Sequence, residues 1–160
     1  MNPSTKRHAQ YAQGYTALGL FKEAERELKA IAEADRGLPD VLVARVGLLW
    51  ETKQWDRLIA ESRRLVEAAP AEERGWIAWA FALRELGRIA EAKAVLFRAE
   101  PLHGATSPVL HYNLGCYHCL LGETAEARAR LATAFRMHPP FQTEALEDPD
   151  LEAMWDELNP

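Results

Sequence analysis

The sequence predicts an all-α fold built as a stack of antiparallel helix pairs. Three observations carry that expectation: an internal repeat of about 34 residues, apolar stripes at helical spacing on both sides of each repeat's midpoint, and glycine or proline where helices must stop. With 160 residues, 48% hydrophobic and 27% charged, the chain is long enough to bury a sizeable core.

The repeat comes first because it organises everything else. Four segments share one pattern: Gly19-Leu20-Phe21-Lys22-Glu23-Ala24, Lys53-Gln54-Trp55-Asp56-Arg57-Leu58, Gly87-Arg88-Ile89-Ala90-Glu91-Ala92 and Gly122-Glu123-Thr124-Ala125-Glu126-Ala127. Their last residues fall at 24, 58, 92 and 127, so the gaps are 34, 34 and 35. Each segment separates two amphipathic stretches. In the third unit Trp76, Trp79, Ala80 and Leu83 recur at helical spacing, Gly87 interrupts, and Ala92, Val95, Leu96 and Ala99 mark the next helix. Pro70, Pro101, Pro139 and Pro140 fall at or near the ends of second helices, where a missing N–H and the ring clash oppose further winding. Ser107-Pro108 reads as an N-cap followed by proline in the first turn.

This period and these positions resemble the tetratricopeptide repeat. The fourth unit is the best match, through Leu114-Gly115, Tyr117, Gly122, Ala127, Leu131, Ala134 and Pro139. The second departs most, since Leu58 and Ser62 replace a preferred alanine and a large apolar residue. The resemblance implies a right-handed tetratricopeptide-like solenoid. Four repeats are expected at about 5–38, 39–72, 73–107 and 108–140, followed by an acidic linker and C-terminal capping helix over 141–160. Tyr15, Phe21, Trp55, Trp76, Trp79 and Leu131 are expected in the core. In the cap, Leu151, Met154, Trp155 and Leu158 would form the apolar side.

In this family the first helix of each pair lines a concave groove that receives ligands. Carried over, that places Val43, Gly47, Trp50 and Glu51 on the groove, then Ile77, Phe81 and Arg84, then Tyr112, Cys116 and Cys119. Lys6, Ala9, Gln13 and Thr16 would form a more polar end. Trp50, Phe81 and Tyr112 would recur along one surface, and exposed aromatics favour interfaces because they bury large area with few rotatable bonds. Gly47 would leave room for an inserted side chain. The lysine–asparagine clamp by which some family members hold chaperone C-termini is absent at the matching positions. The groove could instead be filled by the chain's own terminal segment, or its aromatics could simply pack on one another.

Little else suggests chemistry. Cys116-Tyr117-His118-Cys119 falls in mid-helix, away from the helix N-terminus that lowers a thiol pKa, and as half of a zinc site it lacks two ligands. His111 and His118 are expected to face the core while both thiols face the groove. No phosphate loop, nucleophile elbow or metalloprotease spacing occurs, so no catalytic residue, cofactor or metal is expected. Phe141 to Pro160 holds seven acidic and no basic residues; the net charge of −5 therefore leaves +2 for the first 140 residues, and no basic footprint for a nucleic acid. The N-terminus shows no secretory leader, no stretch approaches a membrane span, and two cysteines suit a reducing, cytoplasmic compartment. The expected function is a non-catalytic scaffold or chaperone-like adaptor binding an apolar segment of a protein or peptide. A structural or self-associating module with an internally filled groove is the alternative, and an RNA-binding helical repeat a remote one.

Overall fold

The computed structural model of the protein describes residues 2–158. Among these residues the chain is helical, with no strand. Eight helices follow in order, two to each repeat: α1 (Pro3–Ala17) and α2 (Phe21–Lys29), α3 (Pro39–Glu51) and α4 (Trp55–Ala68), α5 (Glu73–Glu85) and α6 (Ile89–His103), α7 (Pro108–Leu120) and α8 (Thr124–Met137). Two short helices follow, α9 (Phe141–Glu144) and α10 (Trp155–Leu158), with a 3-10 segment at Pro149–Met154 between them.

The turns inside the four pairs share a device. The residue that reverses the chain after each first helix is left-handed: Gly19 at φ 73°, Lys53 at 55°, Gly87 at 74° and Gly122 at 75°. Three of the four are glycine, which has no Cβ to clash there. Several first helices open with proline in the first turn, and α7 is capped as its sequence suggests: the Leu110 N–H donates to Ser107 Oγ at 3.0 Å. Pro101 lies inside the last turn of α6 rather than beyond it. So near the end, its missing N–H removes a bond without stopping the helix until Gly104.

The chain divides into two compact units, Met1–Leu86 and Gly87–Pro160, with the boundary at the α5–α6 turn. In the first unit, α1, α2 and α3 enclose one apolar cluster of Ala9, Ala12, Ala24, Leu28, Ile31, Val41, Ala44 and Leu48. A second cluster joins α3, α4 and α5 through Leu42, Val46, Leu49, Leu58, Leu65, Ala78 and Ala82. Each buried leucine contributes roughly 1.5–3 kcal/mol, and the alanines let the helix backbones approach. Ser62 is fully buried there without a partner for its hydroxyl, the local consequence of a polar residue at an apolar repeat position. In the second unit α6, α7 and α8 pack around Leu96, Leu110, Leu114 and Leu131. Gly115 allows the closest approach: a Cβ there would stand 2.7 Å from the Leu131 side chain.

Trp76 and Leu131 are buried, and Tyr15, Phe21 and Trp55 pack against the clusters while staying partly exposed, as does Trp79 beside Trp76. One expectation needs correction: the C-terminal segment is not one capping helix. Asp148 Oδ1 accepts the Asp150 N–H at 2.9 Å and opens the 3-10 segment, where residues three apart stack on one side. Leu151 and Met154 have that spacing, and both are fully buried. The apolar side foreseen for a helix is thus formed in a tighter coil.

Candidate functional site

The sequence-predicted binding residues lie in two places. Those of the first unit are on α3 and α5, which pack together. Trp50 and Phe81 stack, with ring centroids 4.2 Å apart and planes at 18°. Trp55 meets the Phe81 edge at 5.8 Å. Such pairs contribute about 0.5–1.5 kcal/mol beyond area burial. All three rings, with Val43 and Ile77, remain partly exposed. Val43 and Trp50 also pack against the second apolar cluster, so they serve the core as well as the surface. Beside them Gly47 is open: a Cβ built there meets nothing within 4 Å. Glu51 is exposed, and the Arg84 guanidinium sits 3.0 Å from Glu85. The arrangement is a partly exposed aromatic shelf with open space at Gly47 and charged flanks.

At the N-terminal end the expected polar surface is smaller than foreseen. Ala9 is buried in the first cluster, and Thr16 is buried with its hydroxyl donating to the Ala12 carbonyl at 2.8 Å. An open cleft of about 320 Å³ also lies among α2, α3 and α4 over Leu28 and Leu48. At its rim Lys29 pairs with Glu25 at 3.2 Å and Arg45 with Glu61 at 3.5 Å.

The second unit differs. Tyr112, Cys116 and Cys119 are buried, because the C-terminal segment lies against α7. The Tyr112 hydroxyl donates to Asp148 Oδ2 at 2.8 Å, its ring meets Phe141 at 4.7 Å, and the Cys116 thiol faces Asp148 Oδ2 at 3.8 Å. The open aromatic surface expected here is covered by Phe141, Asp148 and the 3-10 segment. Burial and the Asp148 hydrogen bond hold the Tyr112 hydroxyl above its ordinary range. Burial first, then the Asp148 and Asp150 carboxylates, push the Cys116 thiol well up, and Cys119 follows in the same direction. Both thiols are therefore moved away from the thiolate form that redox chemistry needs. The acidity of the tail was legible; that Asp148 would meet Tyr112 was not, since nothing local encodes a contact 36 residues away.

His111 and His118 point away from this face, as expected. His111 Nε2 pairs with the Gly104 carbonyl at 2.8 Å and Nδ1 lies 3.2 Å from Arg130. His118 Nδ1 pairs with Glu123 at 2.5 Å, and Lys93 reaches the same carboxylate at 2.6 Å. Hydrogen bonds from Lys93 and then His118 hold the Glu123 carboxyl below its ordinary range, and Arg130 does the same for Glu100.

Helix pairs repeated at this period, with a left-handed residue at the same turn in each, define a tetratricopeptide-type helical-repeat protein. The profile of the bacterial transcriptional activator domain matches residues 13–102, more than half of the chain, and the protein belongs to that family. Among solved structures it resembles MamA protein at a TM-score of 0.78, with 17% identity over 99% of this chain and 87% of that one. It resembles Pseudomonas aeruginosa PilF at 0.78, with 21% identity over 96% and 69% respectively. A third, the thermophilic TPR protein TTC0263 of Thermus thermophilus, gives 0.71 at 18% identity over 96% and 98%. At these identities the likeness is one of fold. A search of curated protein sequences finds no match.

Proposed function

We propose that the protein is a non-catalytic interaction module that binds a partner protein or peptide through an apolar segment laid on the α3–α5 face of its first unit. The observation that carries this is the partly exposed Trp50–Phe81 stack with open space at Gly47 on the same helix. A partner side chain entering that space would contact both rings, and buried aromatics are where interface energy concentrates. Glu51 and Glu85, with Arg84, supply charge for orientation at the rim. Family membership gives a context in bacterial transcriptional activation. There a chain of net charge −5 fits protein contact better than nucleic-acid contact. Two free thiols fit a reducing cytoplasm, and no described helix is long and apolar enough to cross a membrane.

The alternative of an internally filled surface has support only in the second unit, where the C-terminal segment covers Tyr112 and Cys116. One experiment separates the readings. Partners are captured from the source lysate by the native chain and by a Trp50→Glu/Phe81→Glu variant shown to be folded by circular dichroism, and the enriched protein is then purified and bound directly. Loss of direct binding in the variant supports the α3–α5 face. Equal binding by both moves the site elsewhere.

A further inference from the structure

The proposed function leaves the Cys116-Tyr117-His118-Cys119 motif unused. As half of a metal site it lacked two ligands, and the histidines face away. The structure supplies two others on the side where the thiols point. Cys116 Sγ and one carboxylate oxygen each of Asp148 and Asp150 all lie within 4.8 Å of one another. They come from α7 and from a segment 32 residues later. Cys116 is only 3% exposed. Its thiol donates to Asp148 Oδ2 at 3.8 Å. Asp148 is itself held, with Oδ1 on the Asp150 N–H and Oδ2 on the Tyr112 hydroxyl. Cys119, one turn along α7, is buried on the same covered face.

From this juxtaposition we propose that Cys116, Asp148 and Asp150 hold one thiophilic divalent cation, of which Zn²⁺ best suits the donors. The donor set decides the ion. Zn²⁺ accepts thiolate sulfur and carboxylate oxygen in one tetrahedral shell, whereas Mg²⁺ and Ca²⁺ prefer oxygen alone and would leave the sulfur unused. Donors around a tetrahedral Zn²⁺ stand about 3.3–3.9 Å apart; the Cys116–Asp148 pair is already at 3.8 Å, and no pair of the three needs to close by more than about 1 Å. On binding, the Cys116 thiol releases its proton to solvent and coordinates as thiolate, while the two carboxylates coordinate ionised. The carboxylates that now push both thiols up would be compensated by the cation. Bound metal would tie the C-terminal segment to α7 and fix the cover over Tyr112.

The test is a titration of the full chain, stripped with chelator and thiol-reduced, with Co²⁺ alone. Saturation at one Co²⁺ per chain is expected, with the near-ultraviolet thiolate-to-cobalt band and the visible bands of a tetrahedral site, both removed by added Zn²⁺. Cys116→Ser removes the thiolate band. Asp150→Asn, at a partly exposed position, weakens Co²⁺ binding roughly 100-fold or more with an unchanged circular dichroism spectrum. The proposal is overturned if the native chain shows no thiolate band at saturating Co²⁺, or if Asp150→Asn binds as tightly as the native chain.

Discussion

At the residue scale, the four repeats pose one problem, a left-handed turn residue, and solve it unequally. Gly19, Gly87 and Gly122 adopt it without a Cβ clash, while Lys53 adopts it with one. Equivalent substitutions should therefore have opposite signs. Lys53→Gly relieves the strain but gains chain entropy in the unfolded state, for a net stabilisation of about 0.5–1 kcal/mol. Gly87→Ala introduces the strain and should cost about 1 kcal/mol. At this chain length each kcal/mol moves the melting temperature by about 2–4 °C, so thermal denaturation of the two variants reads both signs directly. A melting temperature lowered in both would show that Lys53 makes a contact worth more than its backbone strain.

At the scale of elements, the α7–α8 turn is held by a charge cluster as well as by packing. Glu123 accepts from Lys93 on α6 and His118 on α7, and Glu100 on α6 pairs with Arg130 on α8. Both carboxyls are held below their ordinary values, by Lys93 and Arg130 respectively. The unfolded chain then binds protons more readily than the folded one. The stabilisation is complete above the ordinary carboxylate range and is lost as pH falls through the depressed values. Melting temperatures measured across the acid range should fall with pH, and Glu123→Gln should flatten that slope while leaving the rest of the profile in place. An unchanged slope in Glu123→Gln would show that the pairing is too solvent-screened to matter. The C-terminal segment is the element that resisted reading. Its apolar residues were identifiable, but a helical period suits Leu151, Met154 and Leu158 about as well as a 3-10 one does. The choice was made by tertiary packing and by the Asp148-Pro149 opening.

For the whole molecule, the fold was legible because repetition multiplies a weak local signal: four turn segments in register, three with both the glycine and the alanine, leave few alternatives. The proposed binding face was legible in part. The family pattern located α3 and α5, and the open space at Gly47 follows from a glycine where the core requires none. Aromatics packed on one another and a groove filled by the terminal segment were open alternatives, and the pattern could not choose between them and an open groove or say that the segment would cover Tyr112 and Cys116 in particular. Those contacts depend on side-chain packing and on long-range docking of a segment that has no repeat partner to copy. The central claim, that a partner enters the open space at Gly47 on the α3–α5 face, is tested most directly with Gly47→Lys. This substitution fills that space and removes no core contact. Replacing a mid-helix glycine should leave the fold as stable or raise its stability by up to about 1 kcal/mol. The affinity of native chain and variant for the purified partner, measured by calorimetry, should differ by roughly 30-fold or more if a hot-spot side chain occupies that space. Equal affinities, in a variant at least as stable as the native chain, would contradict the account.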